Sequence, residues 1–378
     1  MEYVKLKDVF SIKKGKKVEQ VEKSENTIRY IQIDDLRNND NIKYCEKNER
    51  YVYAQERDII IAWDGANAGT IGYGLNGAIG STLALLTKND DRFCTEYCGL
   101  FLKSKFKYLR DKCTGATIPH ISKSSLEELE IPLISKEEQL KIINIINLSK
   151  NLLDKKKDQI NLLDELVKSR FVQMFGELKS NKNNFEIVNL EELTTKITDG
   201  VHSKPEYTLK GVPFISVKDI NKGKLIFSQC KYISEESHKK YITRCNPEFG
   251  DILYTKVGAT YGIPCIVDTY KEFSLYVSVA LLKLKKENIN PIYLKEALRS
   301  IDVKRQADRQ VKGIGVPDLH LVEIKKFKVF NPPIELQNQF ADFVTKVDKL
   351  KFEMEKSLKE LEDNFNSLMQ KVFKGELF

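Results

Sequence analysis

No stretch of this 378-residue sequence is apolar for long enough to cross a bilayer. Its start, Met1-Glu2-Tyr3-Val4-Lys5, has neither the basic flank nor the apolar run of a secretory leader. A cytoplasmic location with no membrane partner is expected. Cysteine is sparse and unpaired: seven residues, an odd number, suit free thiols in a reducing compartment better than a disulfide framework. Cys94 and Cys98 are the nearest neighbours, but three residues separate them and no second Cys or His pair accompanies them, which argues against a structural zinc. The four histidines, His120, His202, His238 and His320, are too dispersed for a triad or a metal cluster.

Other enzymatic signatures are missing as well. Asp64-Gly65-Ala66-Asn67-Ala68-Gly69-Thr70 lacks the lysine that a phosphate loop needs, and the similar Val257-Gly258-Ala259-Thr260-Tyr261-Gly262 lacks it too. Asn331-Pro332-Pro333-Ile334 resembles the Asn-Pro-Pro-aromatic motif of amino-methyltransferases. Its fourth residue is aliphatic, however, and cannot stack on a flipped base. No glycine-rich loop for a methyl donor precedes it, and the counterpart Ile131-Pro132-Leu133 has no motif at all. A proline-marked entry to a helix explains the segment better. No catalytic residue, cofactor or metal is expected.

What the chain does have is a duplication. Tyr30-Ile31-Gln32-Ile33-Asp34-Asp35-Leu36 answers Phe214-Ile215-Ser216-Val217-Lys218-Asp219-Ile220. Asp58-Ile59-Ile60 with Gly65 and Gly69 answers Asp251-Ile252-Leu253 with Gly258 and Gly262, and Gly115-Ala116-Thr117-Ile118-Pro119 answers Gly313-Ile314-Gly315-Val316-Pro317. Pro132, Gln139 and Gly176-Glu177-Leu178 then pair with Pro332, Gln339 and Gly375-Glu376-Leu377. Offsets drift only from about 184 to 200 residues, as insertions in loops would produce. With 41% hydrophobic content, the chain can bury one core per half.

Each half ends in a long helical pattern. Ile142, Ile146, Leu153, Ile160, Leu163, Val167 and Met174 keep a spacing of three and four, and Phe340, Phe343, Val347, Leu350, Met354, Leu361 and Leu368 do the same. About 40 residues at 1.5 Å each predict helices of about 60 Å. Such a stripe needs a partner, and the copy in the other half supplies one, which predicts an antiparallel coiled coil with the two globular segments at opposite ends of a rod. The segments themselves read as short strands: Tyr30 to Ile33, Asp58 to Trp63, Leu83 to Thr87, Phe214 to Val217, Asp251 to Tyr254, Ile263 to Val267 and Val277 to Leu284. Helices are expected over Tyr97 to Arg110 and Pro291 to Ser300. The fold class is α+β, without regular βαβ alternation.

Net charge is +8, from 62 basic and 54 acidic residues, so clustering matters more than the total. Lys13, Lys14, Lys16 and Lys17 surround Gly15. Lys103, Lys105, Lys107, Arg110 and Lys112 lead into Gly115, while Lys304, Arg305, Arg309 and Lys312 lead into Gly313. The same basic approach to the same glycine turn occurs twice.

Thr198-Asp199-Gly200-Val201-His202, Gly211-Val212-Pro213-Phe214-Ile215, the Gly-Ala-Thr segments, Thr117-Ile118-Pro119-His120-Ile121-Ser122 and a Pro-x6-Gln opening each long helix together resemble the specificity subunit of Type I restriction-modification systems. The resemblance covers essentially the whole chain. It implies a target recognition domain at 1–135, a conserved long helix at 136–178, a second recognition domain at 179–333 and a second conserved helix at 334–378. It further implies a non-catalytic subunit that reads a bipartite sequence in double-stranded DNA. Two methyltransferase subunits would dock on its helices, and restriction and motor subunits would join through them. Where the second half has Asp199-Gly200-Val201-His202, the first offers Lys14-Gly15-Lys16-Lys17, a departure from the pattern.

For such a reader, phosphate contacts are expected from Lys13, Lys14, Lys16, Lys17, Lys112, Lys218, Lys256 and Lys312, with backbone amides at Gly65, Gly115, Gly258 and Gly313. Base contacts are expected from Trp63, Asn67, Thr117 and His120 in one head and from His202, Tyr207, Thr260 and Tyr261 in the other. A self-sufficient adenine methyltransferase and a coiled-coil adaptor without DNA affinity are the alternatives. Ile334 argues against the first, and the duplicated basic turns against the second.

Overall fold

The computed structural model describes residues 2–115, 117–221, 223–313, 315–374 and 376. Ala116 and Ile314 of the two glycine turns, and Gly375 and Leu377 of the repeated Gly-Glu-Leu, lie outside the described residues. The chain forms two units. Residues 1–157 and 356–378 make the first, and 158–355 the second.

In unit 1, strands β1 (Glu2–Lys5), β2 (Phe10–Lys14), β3 (Thr27–Ile31), β4 (Lys43–Glu46), β5 (Tyr53–Ala54), β6 (Ile59–Ala62), β7 (Ile71–Tyr73), β8 (Gly77–Ile79), β9 (Leu83–Lys88) and β10 (Glu130–Leu133) form three sheets. Their orders are β2-β9-β6-β7, β4-β3-β8-β5 and the pair β1-β10. Helices α1 (Thr95–Ser104) and α2 (Phe106–Asp111) follow β9, and α3 (Lys136–Phe175) follows β10.

The run Ile59-Ile60-Ile61-Ala62 is buried on both faces, and its alternation says what lies on each. Ile60 and Ala62 pack with Ile31, Ile79, Leu83 and Leu85 between the two larger sheets. Ile59 and Ile61 face the other way, towards Tyr97 and Phe101 of α1 and Ile142 and Ile146 of α3.

Unit 2 repeats the plan. Strands β11 (Glu186–Asn189), β12 (Thr194–Asp199), β13 (Val212–Ile215), β14 (Lys231–Ile233), β15 (Ile252–Thr255), β16 (Pro264–Ile266), β17 (Ser274–Leu275), β18 (Val279–Leu284) and β19 (Lys328–Asn331) form sheets ordered β12-β18-β15-β16, β14-β13-β17 and β11-β19. Helices α4 (Pro291–Arg299), α5 (Ile301–Gln310) and α6 (Ile334–Lys374) accompany them. The alternation recurs, with Leu253, Val279 and Leu281 between sheets and Ile252, Tyr254 and Leu282 facing the helices.

Three expectations need adjustment. The strands beginning near Tyr30 and Phe214 stop early, because Asp35 and Asp219 accept hydrogen bonds from the N–H of Gln32 and Ser216 at 2.7 and 2.8 Å and close a 3-10 turn there. The helix expected over Tyr97 to Arg110 breaks at Lys105, where the Ser104 hydroxyl donates to the Phe101 carbonyl at 2.6 Å. Prolines precede α6 directly, whereas Pro132 sits inside β10; α3 opens instead with a capping box between Ser135 and Glu138.

Both long helices are divided between the units. In unit 1, Ile142, Ile143 and Ile146 of α3 share a core with Met369, Val372 and Phe373 of α6, and Lys157 pairs with Glu362 at 2.9 Å. Later residues of α3 thus meet earlier residues of α6, the antiparallel sense. In unit 2, Lys351 pairs with Asp164 at 2.6 Å, and Phe171 meets Phe340 edge-on at 5.5 Å between ring centroids, again antiparallel. No helix among the described residues is long and apolar enough to cross a membrane.

Candidate nucleic-acid interface

In each unit two loops that are distant in sequence are fastened side by side. In unit 1 these are the β6–β7 loop and the turn around Gly115. The N–H of Gly65 donates to the Pro119 carbonyl at 2.9 Å, and that of Ile121 to the Trp63 carbonyl at 2.9 Å. In unit 2 the N–H of Gly258 donates to Pro317 and that of Leu319 to Lys256, both at 2.8 Å. The amides of Gly65 and Gly258, expected to meet phosphate, are instead committed to these carbonyls. The turns close alike, with Thr114 and His120, or Lys312 and Asp318, exchanging both backbone hydrogen bonds.

Glycine is required at the head of each turn. Gly115 and Gly313 have φ of +96° and +102°, and a Cβ there would stand 2.3 Å from the Ile118 carbonyl oxygen and 2.5 Å from that of Val316. Ile118 and Val316, at matching places on these turns, are exposed to 53% and 61%. Sequence reading passed over both; aliphatic tips of this kind suit apolar contact with a thymine methyl.

In unit 1 the expected residues Lys13, Lys14, Lys16, Lys17, Lys112, Gly115, Thr117 and His120 are exposed, whereas Trp63 is half-buried against the core. Lys13, Lys16, Lys17 and Lys112 make no ion pair among the described residues. Lys14 instead lies 2.7 Å from one oxygen of Asp64, whose other oxygen is 2.6 Å from Nδ1 of His120. Burial would raise the Asp64 pKa, but the hydrogen bonds from Lys14 and His120 outweigh it and hold the carboxyl below its ordinary value. Asn67 accepts from Arg37 at 2.7 Å, and Arg110 donates to the Ala66 carbonyl at 2.7 Å. Arg37, Arg110 and Asp64 were not singled out as site residues from sequence, since no local motif marks contacts made between loops.

Unit 2 distributes its residues differently. Tyr207 and Lys218 line a cavity of about 360 Å³ with Phe214, Gln229, Lys231 and Tyr276, and Lys231 lies 4.1 Å from the Tyr207 ring centroid. Lys218 also lines an adjoining hollow with Gln229 and Thr260. Tyr261 is turned aside: its hydroxyl donates to Asp308 at 2.6 Å, and Lys304 lies 4.0 Å from its ring centroid. Hydrogen bonds from Lys304 and Tyr261 hold Asp308 below the usual carboxylate range. Lys312 and Gly313 are exposed on their turn. His202 lies 3.1 Å from Asp199, which also accepts from Arg244 at 2.6 Å.

Lys256 is only 5% exposed, and its ammonium faces Asp199 at 3.6 Å and Asp318 at 3.5 Å. Asn331, of the Asn-Pro-Pro segment, donates to Glu186 at 2.9 Å from within β19. No cluster of three or more potential metal ligands occurs among the described residues.

The sequence model of a family described as Type I restriction modification DNA specificity domain matches residues 1–162 and 182–363. The MjaVIII Type I restriction enzyme specificity subunit of Methanocaldococcus jannaschii is 25% identical over 395 residues, covering 100% of this chain and 92% of its own. The EcoBI specificity subunit of Escherichia coli is 22% identical, over 91% of this chain and 78% of its own. Among solved structures, the S subunit of a Type I restriction-modification system from M. genitalium aligns over 98% of this chain and 96% of its own, with 19% identity and a TM-score of 0.51. A chain from a study of complex assembly and conformational transition of the type I R-M system aligns over 100% and 98%, with 16% identity and a TM-score of 0.65. These two likenesses concern the fold.

Proposed function

The chain belongs to the Type I restriction modification DNA specificity domain family, whose specificity subunits are non-catalytic DNA-recognition components of Type I restriction enzymes, and on that premise we propose that each unit is a head reading one half of a bipartite duplex target. The observation that carries this reading is the repeated fastening of a glycine loop to a basic glycine turn, Gly65 to Pro119 and Gly258 to Pro317. Such paired loops bring lysines to phosphates while their tips reach base edges.

Phosphate grip is assigned to the exposed Lys13, Lys16, Lys17, Lys112, Lys218 and Lys312, and base contact to Asn67, Thr117 and His120 in one head and Tyr207 and Thr260 in the other. The heads differ in the side chains they offer, as readers of two unlike half-sites should.

Docking of two methyltransferase subunits is assigned to the long helices, which would pair as one antiparallel coiled coil, with restriction and motor subunits joining through them in the cytoplasm. Leu140, Leu148 and Leu152 of α3 are half or more exposed within unit 1, an apolar surface suited to a protein partner. An adaptor without DNA affinity does not account for the paired basic turns, and the aliphatic Ile334 with no glycine-rich donor loop before it argues against a self-sufficient methyltransferase.

The test is a genome-wide map of methylated adenines with and without this chain. Loss of a set of split-target sites is expected, and unchanged sites would refute the reading. Exchange of residues 1–135 for another recognition domain is expected to alter one half of the target and leave the other.

A further inference from the structure

The two heads contain the same polar cross-tie with its charges reversed. Strand β2 ends at Lys14, opposite Ala84 of β9, and β12 ends at Asp199, opposite Ala280 of β18. Each is followed by a glycine that packs on backbone: a Cβ on Gly15 would meet the Gly80 carbonyl oxygen at 2.2 Å, and one on Gly200 the Leu275 oxygen at 2.0 Å. Lys14 and Asp199 therefore hold one place in the repeated fold. His120 and Asp318 hold another, each closing its glycine turn.

Between them stands a residue of opposite sign, taken from the loop that begins at Gly65 or Gly258. In unit 1 it is Asp64, an acid between the bases Lys14 and His120. In unit 2 it is Lys256, one position earlier relative to the glycine, a base between the acids Asp199 and Asp318. The departure from Asp-Gly-x-His in the first half is thus one end of a compensated exchange.

Burial decides what Lys256 can do. Its ammonium is enclosed, Asp199 is 3% exposed, and the buried Oδ1 of Asp318 has no hydrogen-bond partner apart from this ion pairing. Withdrawing Lys256 to a phosphate would leave the buried Oδ1 of Asp318 with no partner and the buried Asp199 with Arg244 and His202 alone, in a site that penalises unpaired charge. We propose that Asp199–Lys256–Asp318 and Lys14–Asp64–His120 are positioning ties: they hold the strand end, the glycine loop and the glycine turn in register for reading, without contacting phosphate. Because their polarity is opposite, loops taken from one head will not serve in the other. This rests on the DNA-reading function proposed above.

The experiment uses the full chain with its methyltransferase subunits and a duplex carrying the target found by adenine mapping, alongside duplexes with one half scrambled, over a series of salt concentrations. Lys256→Met is expected to lose at least about tenfold of the preference for one cognate half, with the other half's preference and the salt slope unchanged. Uniform weakening with a slope smaller by about 1 is the mark of a lost phosphate contact and overturns the proposal. Unfolding of the head would remove several phosphate contacts together and lower the slope further.

In that case unit 1 decides, since Lys14 is 52% exposed and its replacement leaves the core intact. Lys14→Met, Asp64→Asn and the double variant are expected to lose half-site preference equally, at constant slope. Additive losses with a reduced slope for Lys14→Met overturn it. A wild-type complex that prefers no duplex over its scrambled forms would sink the DNA-reading function itself, an outcome distinct from either.

Discussion

The side-chain oxygen of Gln139 accepts a hydrogen bond from the backbone N–H of Cys94 at 2.7 Å. The amide nitrogen of Gln139 donates to the Arg92 and Ile134 carbonyls, so one wholly buried side chain fastens the start of α3 to the approach to α1. Gln337 does the same for α6 with Asn290, Asn288 and Pro332. Truncating Gln139 or Gln337 to Ala strands backbone groups away from water, at about 1–3 kcal/mol for each group left unpaired. A loss of at least about 2 kcal/mol is expected for each, read by urea denaturation.

Two glycines with similar φ should respond differently to Ala. Gly65 has φ +93° and open space around its missing Cβ, so Gly65→Ala meets only the left-handed strain of about 1–2 kcal/mol. Gly115→Ala adds a collision with the Ile118 carbonyl and must move the turn. A larger fall in melting temperature and a loss of preference for one half-site are expected for Gly115→Ala alone.

The Asp64 tie gives a pH signature. Its carboxyl is held below the ordinary value in the folded head, so the stabilisation is fully present above the unfolded value of about 3.9 and is lost as pH falls from there through the folded value. The stability difference between the wild type and Asp64→Asn is therefore expected to be constant at neutral pH and to narrow below about pH 4. A gap that widens on acidification contradicts this.

Phe373 lies near the end of α6 but packs on Tyr97 and Phe101 of unit 1, with ring centroids 5.5 Å from each. Phe373→Ala is expected to cost about 3–5 kcal/mol. The loss should appear in hydrogen exchange of β6 and α1 amides and spare those of β15 and β18.

Thiol chemistry separates the cysteines. Burial pushes Cys245 and Cys265 up to about 12, so neither is a nucleophile near neutrality. Native alkylation at about pH 8 is expected to reach the half-buried Cys94 and Cys113 before the five buried thiols, and all seven in urea.

Much of the fold was legible because it depends on local chemistry repeated twice. Ile59-Ile60-Ile61 and Ile252-Leu253 announced strands, and the spacing of Ile142, Ile146 and Leu153 announced a helix. Local competition was harder to read: neither Ser104 taking the Phe101 carbonyl nor Asp35 closing a turn on Gln32 leaves a mark on hydrophobic periodicity. Of the candidate site, sequence located the glycine loops and basic turns. It could not separate lysines that face solvent from Lys256, because the acids that enclose Lys256, Asp199 and Asp318, lie far away in the chain. The pairing Gln139 with Gln339 was also displaced: Gln337 makes the equivalent bonds, since the second proline advances the helix start in that half.

The first unit takes its last strip of core, Met369 to Phe373, from the far end of the sequence. On the ribosome, all of 158–355 is available before that strip has been made. The half synthesised second is therefore the first able to complete its core, and the half synthesised first must wait with apolar surface uncovered, in reach of chaperones and proteases, until residues 369–373 have been made.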